Sequence, residues 1–428
     1  MKQRFTFAKL YRKFPISIRQ ILLMNVLMIL DGEFPPDERV EKEAVSLISS
    51  GNRVYILCLD YGNTGDRENY RGIEIIRIRI RKQLRNKLQA TYLIFPIYRR
   101  LWKRKIESVI TEKSIDVIHI HDLPLSDIGI RLRKKYNLRV VCDQHEFYSS
   151  WIVRTAHYNT FAGKIIGFFS NWEKYEKKYL PHADLVVTVE SPLLELYVTT
   201  RHVDRSKIIV LPNTPSKAVF NLENVDCDIV DKYKDYFMLL YAGHIDILRG
   251  INTIIESLPL VRKSIPNFKF LLAGKFNKRY YDPLEYSRKL GVNDLIEYHE
   301  WIPLNQLPSY IAASRLCIHV PPAITREVNN TIASKIYQNI VMNKPTIVGQ
   351  ARMMKSFIEK YNIGVSIMES DPADLAEKLK LLYSDHQLVK SFENNTKLIA
   401  EKYYWEVTSE PLLRHYRTFQ SNKTDLPH

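Results

Sequence analysis

Residues 21–59 constrain the architecture more than any other stretch. Residues 21–30 form an uninterrupted apolar run, the pattern of a strand buried on both faces of a parallel sheet. Asp31-Gly32 and Pro35-Pro36 interrupt it, residues 37–50 carry helical periodicity up to Gly51, and residues 54–59 are apolar again. Strand, glycine-containing loop, helix and strand make a βαβ unit, and such units build an open, doubly wound parallel sheet. Further apolar runs at 116–121, 138–142, 183–189 and 207–212 extend that sheet. A polar stretch with clustered Asp and Asn follows, and the same rhythm resumes at 237–242, 268–273, 295–301 and 316–320. A second domain of the same class is therefore expected. The boundaries read as a basic arm over 1–20, a first domain over 21–216, a linker over 217–235, a second domain over 236–400 and a closing helical segment over 401–428.

Composition agrees. A chain of 428 residues has room for two cores, and 45% hydrophobic with 26% charged residues describes a folded protein. No run of about 18 apolar residues is present to span a bilayer. The N-terminus shows no signal-peptide pattern, and the four cysteines are scattered without CxxC spacing, which suits reduced thiols in the cytoplasm and argues against structural zinc.

The net charge of +16 calls for an anionic partner. It is concentrated in two places. Residues 1–20 hold Lys2, Arg4, Lys9, Arg12, Lys13 and Arg19 without an acid, interleaved with Phe5, Phe7, Tyr11 and Phe14. Residues 77–105 are also free of acids and mix eleven Arg and Lys between Arg77 and Lys105 with Tyr92, Phe95, Tyr98 and Trp102. Basic and aromatic residues together suit an anionic membrane surface, single-stranded nucleic acid, or only solvent.

Three segments carry candidate chemistry. Asp143-Gln144-His145-Glu146 follows a strand, where open sheets place their ligands. Gly243-His244 and Arg249-Gly250 bracket a turn between a strand and a helix, and Gly274-Lys275 forms a similar turn after the next strand. Two cations beside a helix N-terminus favour an anion such as a diphosphate. Residues 330–349, NNTIASKIYQNIVMNKPTIVG, read as a helix capped by Ser334 running through Asn343-Lys344-Pro345 into a buried strand, with Asn330 and Gln338 bracketing its start.

In this order the segments resemble retaining glycosyltransferase family four. Residues 31–54 resemble its D-x-R-V-x-K-E-A opening, His145 its D-x-H-E segment, YAGHIDILRG its Y-x-G-R-x-x-x-x-K-G turn, and residues 330–349 its E-x7-E with G-x-P-V-I-A. Residues 402–419 resemble its tryptophan-containing end, so the likeness covers nearly all of 21–420. Here His244 and Arg249 stand for the turn's Arg and Lys, and Asn330 and Gln338 stand for the two acids. The resemblance implies a GT-B architecture, two Rossmann-like domains facing across a cleft. It implies a retaining hexosyl transfer from a nucleotide sugar to a glycan or lipid-linked acceptor, in polysaccharide or glycoconjugate synthesis, with no metal or other cofactor. It assigns catalysis to His145, Arg249 and Asn330, and donor binding to Gly32, Gly243, His244, Arg249, Gly274, Lys275, Asn330, Thr331 and Gln338. The basic regions 1–20 and 77–105 then become contacts with an anionic membrane at its inner face, and no nucleic acid is expected. Alternatives on the same fold are a non-catalytic nucleotide-sugar-binding subunit, to which His244, Asn330 and Gln338 point, and a nucleotide-sugar epimerase.

Overall fold

The computed structural model describes residues 23–62, 64–145, 147–149 and 171–424; the basic arm 1–20 lies outside the described residues. The chain divides into two compact units, Met1–Leu211 with Ser409–His428, and Pro212–Thr408.

In the first unit β1 (Asn25–Glu33), β2 (Arg53–Asp60), β3 (Arg67–Tyr70), β4 (Ile73–Arg79), β5 (Val117–His121), β6 (Arg139–Gln144), β7 (Leu185–Thr188) and β8 (Ile208–Val210) form one sheet in the order β3-β4-β2-β1-β5-β6-β7-β8. Only β3 runs antiparallel, against β4. The order reverses between β1 and β5, which places a ligand crevice at the carboxyl ends of those strands. The helix Glu38–Ser49 starts where Asp37 Oδ1 accepts from Val40 N at 3.0 Å. Its buried face carries Val40, Ala44 and Leu47, but also Arg39 and Glu43. Charged groups facing inward at that price of desolvation point to partners, which the site supplies below.

Residues 77–105 differ from the aromatic, uninterrupted cationic face expected of them. Arg77 and Arg79 belong to β4, and two helices follow, Lys82–Ala90 and Ile97–Lys113. Tyr92, Tyr98 and Trp102 are buried in the core, because Tyr98, Trp102, Ile106 and Val109 recur on one helical face. Acids remote in sequence meet several of the cations: Glu68 meets Arg77 at 2.5 Å, Asp31 meets Arg85 at 3.3 Å and Asp127 meets Arg99 at 2.8 Å. What remains outside is apolar and basic. Leu84, Ile94, Phe95, Ile97 and Leu101 are exposed, alongside Arg100, Lys103 and Arg104.

In the second unit β9 (Phe237–Ala242), β10 (Phe268–Ala273), β11 (Ile296–His299), β12 (Leu316–His319), β13 (Thr346–Val348) and β14 (Gly364–Ser366) form a parallel sheet in the order β11-β10-β9-β12-β13-β14. Counted from β9 this is 3-2-1-4-5-6, the dinucleotide-fold order, with its reversal between β9 and β12. Residues 217–235 are not a bare linker: they hold the helix Cys227–Tyr233 and bury Phe220 and Tyr233 in this unit's core. The helix Ser334–Val341 is present, but Ser334 is its first residue and makes no cap; Ala333 precedes it without a side-chain bond. Asn330 closes a separate short helix, Arg326–Asn330. The closing helix Glu410–Thr424 belongs to the first unit, where Tyr416 OH lies 2.9 Å from His119 Nδ1.

Candidate active site

The second unit gathers cations at a turn after its first strand. The chain leaves β9 and β10 through Gly243 and Gly274, both at φ 145°. Gly243 N donates to Ala273 O at 2.9 Å, Ile245 N to Lys275 O at 3.1 Å and Gly274 N to His299 O at 2.9 Å, so sheet pairing continues into both turns. A β-carbon on Gly274 would fall 1.8 Å from Gly243 O, so only glycine fits there. Gly250, at φ 74°, then opens the helix Ile251–Ser264, and its missing side chain leaves room for Val320 O. The free N–H groups of that helix end favour an anion.

The predicted cations collect around this turn. His244 and Arg249 are both open to solvent, and both approach the same oxygen: Asp246 Oδ2 lies 3.4 Å from His244 Nε2 and 3.8 Å from Arg249 Nε. The other oxygen, Asp246 Oδ1, accepts from Leu248 N at 2.8 Å. Asp246 therefore holds the turn and partly neutralises it. Lys275 Nζ lies 5.7 Å from the ring of Trp301, which is 68% exposed.

Lys335 was not singled out by the sequence reading, and it completes the group. It projects from the helix Ser334–Val341 so that Nζ sits 4.7 Å from the Tyr241 ring centre and 2.6 Å from where a Gly243 β-carbon would be. Among the described residues no carboxylate pairs with it. Burial, then the Arg249 charge, pull its amine down to about 7, with Asp246 opposing. His319 on β12 is held well below its ordinary value by burial and by the Lys335 and Arg249 charges, so it is neutral. The available signal was spacing: Lys335 stands three residues before Gln338 and shares its helical face. Gln338 lines a small cavity with Lys335, Ala242 and Ile318.

Asn330 and Thr331 are tied down locally. Asn330 is buried; its Nδ2 donates to Arg326 O at 2.7 Å and its Oδ1 accepts from Arg352 Nη2. Thr331 Oγ1 donates to Glu327 O at 3.0 Å. Gly32 is unconstrained by protein atoms, since a β-carbon there would meet nothing nearer than Leu30 at 3.7 Å.

The first unit carries a buried charge network where its sheet order reverses. Arg39 forks onto Asp143, with Nη2 2.8 Å from Oδ1 and Nε 3.1 Å from Oδ2. The same Oδ2 lies 3.1 Å from His121 Nδ1 and 2.5 Å from His145 Nε2. Glu43 stands behind, 3.1 Å from Arg39 Nε and 3.3 Å from His119 Nε2. Burial opposes ionisation throughout, but Arg39 and His145 keep Asp143 well below the usual carboxylate range. Burial and the Asp143 charge push Glu43 well above it, toward the neutral form. Despite burial, Asp143 and then Asp122 raise the His145 imidazole to about 9, which makes it a cation at neutral pH. Among the described residues Glu43, His121, Asp143 and His145 present ligand atoms within 4.8 Å of one another, a group that could hold a metal ion. Of this network the sequence points to Asp143 and His145. The i, i+4 pair Arg39–Glu43 and the i, i+2 pair His119–His121 were the signals for the rest.

Two parallel-sheet α/β units, each with polar groups gathered at its strand ends, are the GT-B architecture, and solved structures agree. Sucrose-phosphate synthase from Thermosynechococcus elongatus is similar at 16% identity and a TM-score of 0.71, covering 93% of this chain and 100% of that one. HepE of Anabaena in complex with UDP gives 13% identity and 0.66, covering 92% and 100%. WaaG, a glycosyltransferase involved in lipopolysaccharide biosynthesis, gives 14% and 0.65, covering 92% and 99%. No curated protein sequence gives a match. Residues 39–214 match the model of glycosyltransferase family 4, and residues 226–399 match that of glycosyl transferases group 1. The chain belongs to this family and is a glycosyltransferase.

Proposed function

We propose that this protein moves a hexosyl group from a nucleotide sugar to a membrane-associated glycan or lipid-linked acceptor, with retention of configuration and without a metal ion. One observation carries the reading: Arg249, His244 and Lys335 gather with a helix N-terminus at the carboxyl ends of β9 and β10. Breaking a sugar–diphosphate bond leaves growing negative charge on the departing phosphate, and pre-placed donors stabilise it at the moment of reaction. Arg249 suits the diphosphate as a fork, His244 and Lys335 add charge, and the Gly243 and Gly274 turns let backbone approach it. Gln338 is assigned to the donor ribose. Asn330, with Thr331 beside it, is assigned to the transferred sugar; release from Arg352 frees its carbonyl for that role. His145, held protonated, serves as a hydrogen-bond donor to the sugar substrate. The departing phosphate accepts the acceptor's proton, so no separate base is required.

HepE was solved with UDP and with UDP-glucose, which makes UDP-sugars the first donors to test. For the acceptor, exposed Ile94, Phe95, Ile97 and Leu101 beside Arg100, Lys103 and Arg104 fit an anionic lipid surface. Among the described residues no helix is long and apolar enough to cross a membrane.

A thermal-stabilisation screen of nucleotide sugars tests the donor. A ligand at a hundred times its Kd adds about 2.7 kcal/mol of stability. Stabilisation by one nucleotide sugar, followed by its cleavage with lipid acceptor present, is the expected result. Binding without cleavage marks a binding subunit, and a changed sugar without transfer marks an epimerase.

A further inference from the structure

We propose that donor binding is coupled to proton uptake at Lys335 Nζ, the amine that fills the Gly243 turn. The inference rests on the nucleotide-sugar reading and deepens it.

The surroundings of that amine are unusual for a lysine. From β9 it faces the Tyr241 ring, from the following turn and the segment before the next helix the Asp246 and Arg249 charges act on it, and on β12 the neutral His319 feels its charge. Its own helix offers the uncharged Gln338 and Asn339. Asp246 is the one acid among these groups, and it already faces both His244 and Arg249. A second full positive charge placed in this space is repelled by Arg249 and, among the described residues, has no carboxylate of its own. The cheaper state of the free protein leaves the nitrogen lone pair empty of a proton in a large share of molecules near neutrality.

A nucleotide sugar changes that balance. Its diphosphate diester brings two negative charges and has no proton of its own to exchange near neutral pH. Seated at the turn, it supplies the missing counter-charge, and the Lys335 lone pair takes a proton from solvent. Binding then strengthens as pH falls toward 7 and levels off below it, because the amine is already charged there. Above about pH 7, Lys335 thereby adds its full charge to the turn mainly when a diphosphate is present. A turn that is fully charged from the outset needs no such step.

Calorimetry of the full chain with UDP-glucose, in buffers of different ionisation heat, reads the uptake directly. At about pH 8 the wild type should take up close to one proton per donor bound, and at about pH 5.5 close to none. Lys335→Arg, charged at both pH values, should bind within about tenfold of the wild type and take up none. His244→Asn should leave the uptake in place. Absence of uptake in the wild type at about pH 8, or its persistence in Lys335→Arg, overturns the proposal. If UDP-glucose fails to bind the wild type at any pH, the donor reading is at fault. Acetylation of Lys335 followed by mass spectrometry then decides the matter of the amine: a rate midpoint near 7 in the free protein upholds it, and one above about 9 overturns it.

Discussion

Lys335 Nζ occupies the space where a side chain on Gly243 would begin, 2.6 Å from the ideal β-carbon position. Glycine at the end of β9 therefore serves two ends, the turn at φ 145° and the seat of an amine. Gly243→Ala must push Lys335 aside and strain the backbone, at roughly 1–3 kcal/mol for the backbone alone. The expected outcome is a folded protein, with native circular dichroism, whose affinity for UDP-glucose in calorimetry falls about tenfold or more.

Gln338 shares a cavity with Lys335 and presents an amide where the family's motif has an acid. A hydrogen bond from a ribose hydroxyl to a charged acceptor is worth about 1 kcal/mol more than one to a neutral acceptor. Gln338→Glu is expected to tighten donor binding by about fivefold, read as Kd by calorimetry. Unchanged affinity would take Gln338 off the ribose.

His145 rises to about 9 from an ordinary 6.5 because Asp143 and Asp122 favour its charged form despite burial. A raised folded-state value means that the native protein binds the proton more tightly than the unfolded chain. The resulting stability is complete below 6.5 and is lost as pH climbs through 9. The melting-temperature gap between wild type and His145→Asn should be widest at about pH 6 and shrink by about pH 10. A constant gap across that range would contradict the charged state assigned to His145.

The helix Ile97–Lys113 turns Arg100, Lys103 and Arg104 outward beside exposed Ile97 and Leu101. Each cation near an anionic bilayer is worth about 1 kcal/mol. Replacing the three by Gln should weaken sedimentation with phosphatidylserine vesicles by about a hundredfold, while leaving binding of soluble UDP-glucose alone. Equal loss for both would mean that the substitutions damage the fold.

The fold was largely legible because buried parallel strands advertise themselves as apolar runs. Residues 237–242 and 268–273 coincide with β9 and β10 to the residue, and the helix 37–50 with Glu38–Ser49 to within one at each end. The edge pair β3 and β4 escaped because Arg77 and Arg79 read as part of a charge run, whereas Arg77 is buried against Glu68 from the neighbouring strand. The same cause hid the fate of Tyr98 and Trp102. Local sequence shows that cations and aromatics are mixed; only the three-dimensional packing shows which of them meet an acid or the core. At the site, spacing in the sequence singles out the glycine turns, Arg249 and the Asp143–His145 segment, while Asp246, Lys335, Arg39 and Glu43 are not singled out. Arg39 meets Asp143 and Lys335 meets Gly243 across long separations in the chain, which no local pattern encodes, whereas Asp246 bonds within its own turn.

The central claim is that the turn after β9 neutralises a departing diphosphate. Its most direct test is the rate of donor cleavage by Arg249→Ala beside the wild type, at saturating nucleotide sugar. Loss of this fork from the leaving group should lower turnover at least about a hundredfold, close to 2.7 kcal/mol of transition-state stabilisation, with the melting temperature preserved. Turnover within about twofold of the wild type would contradict the account.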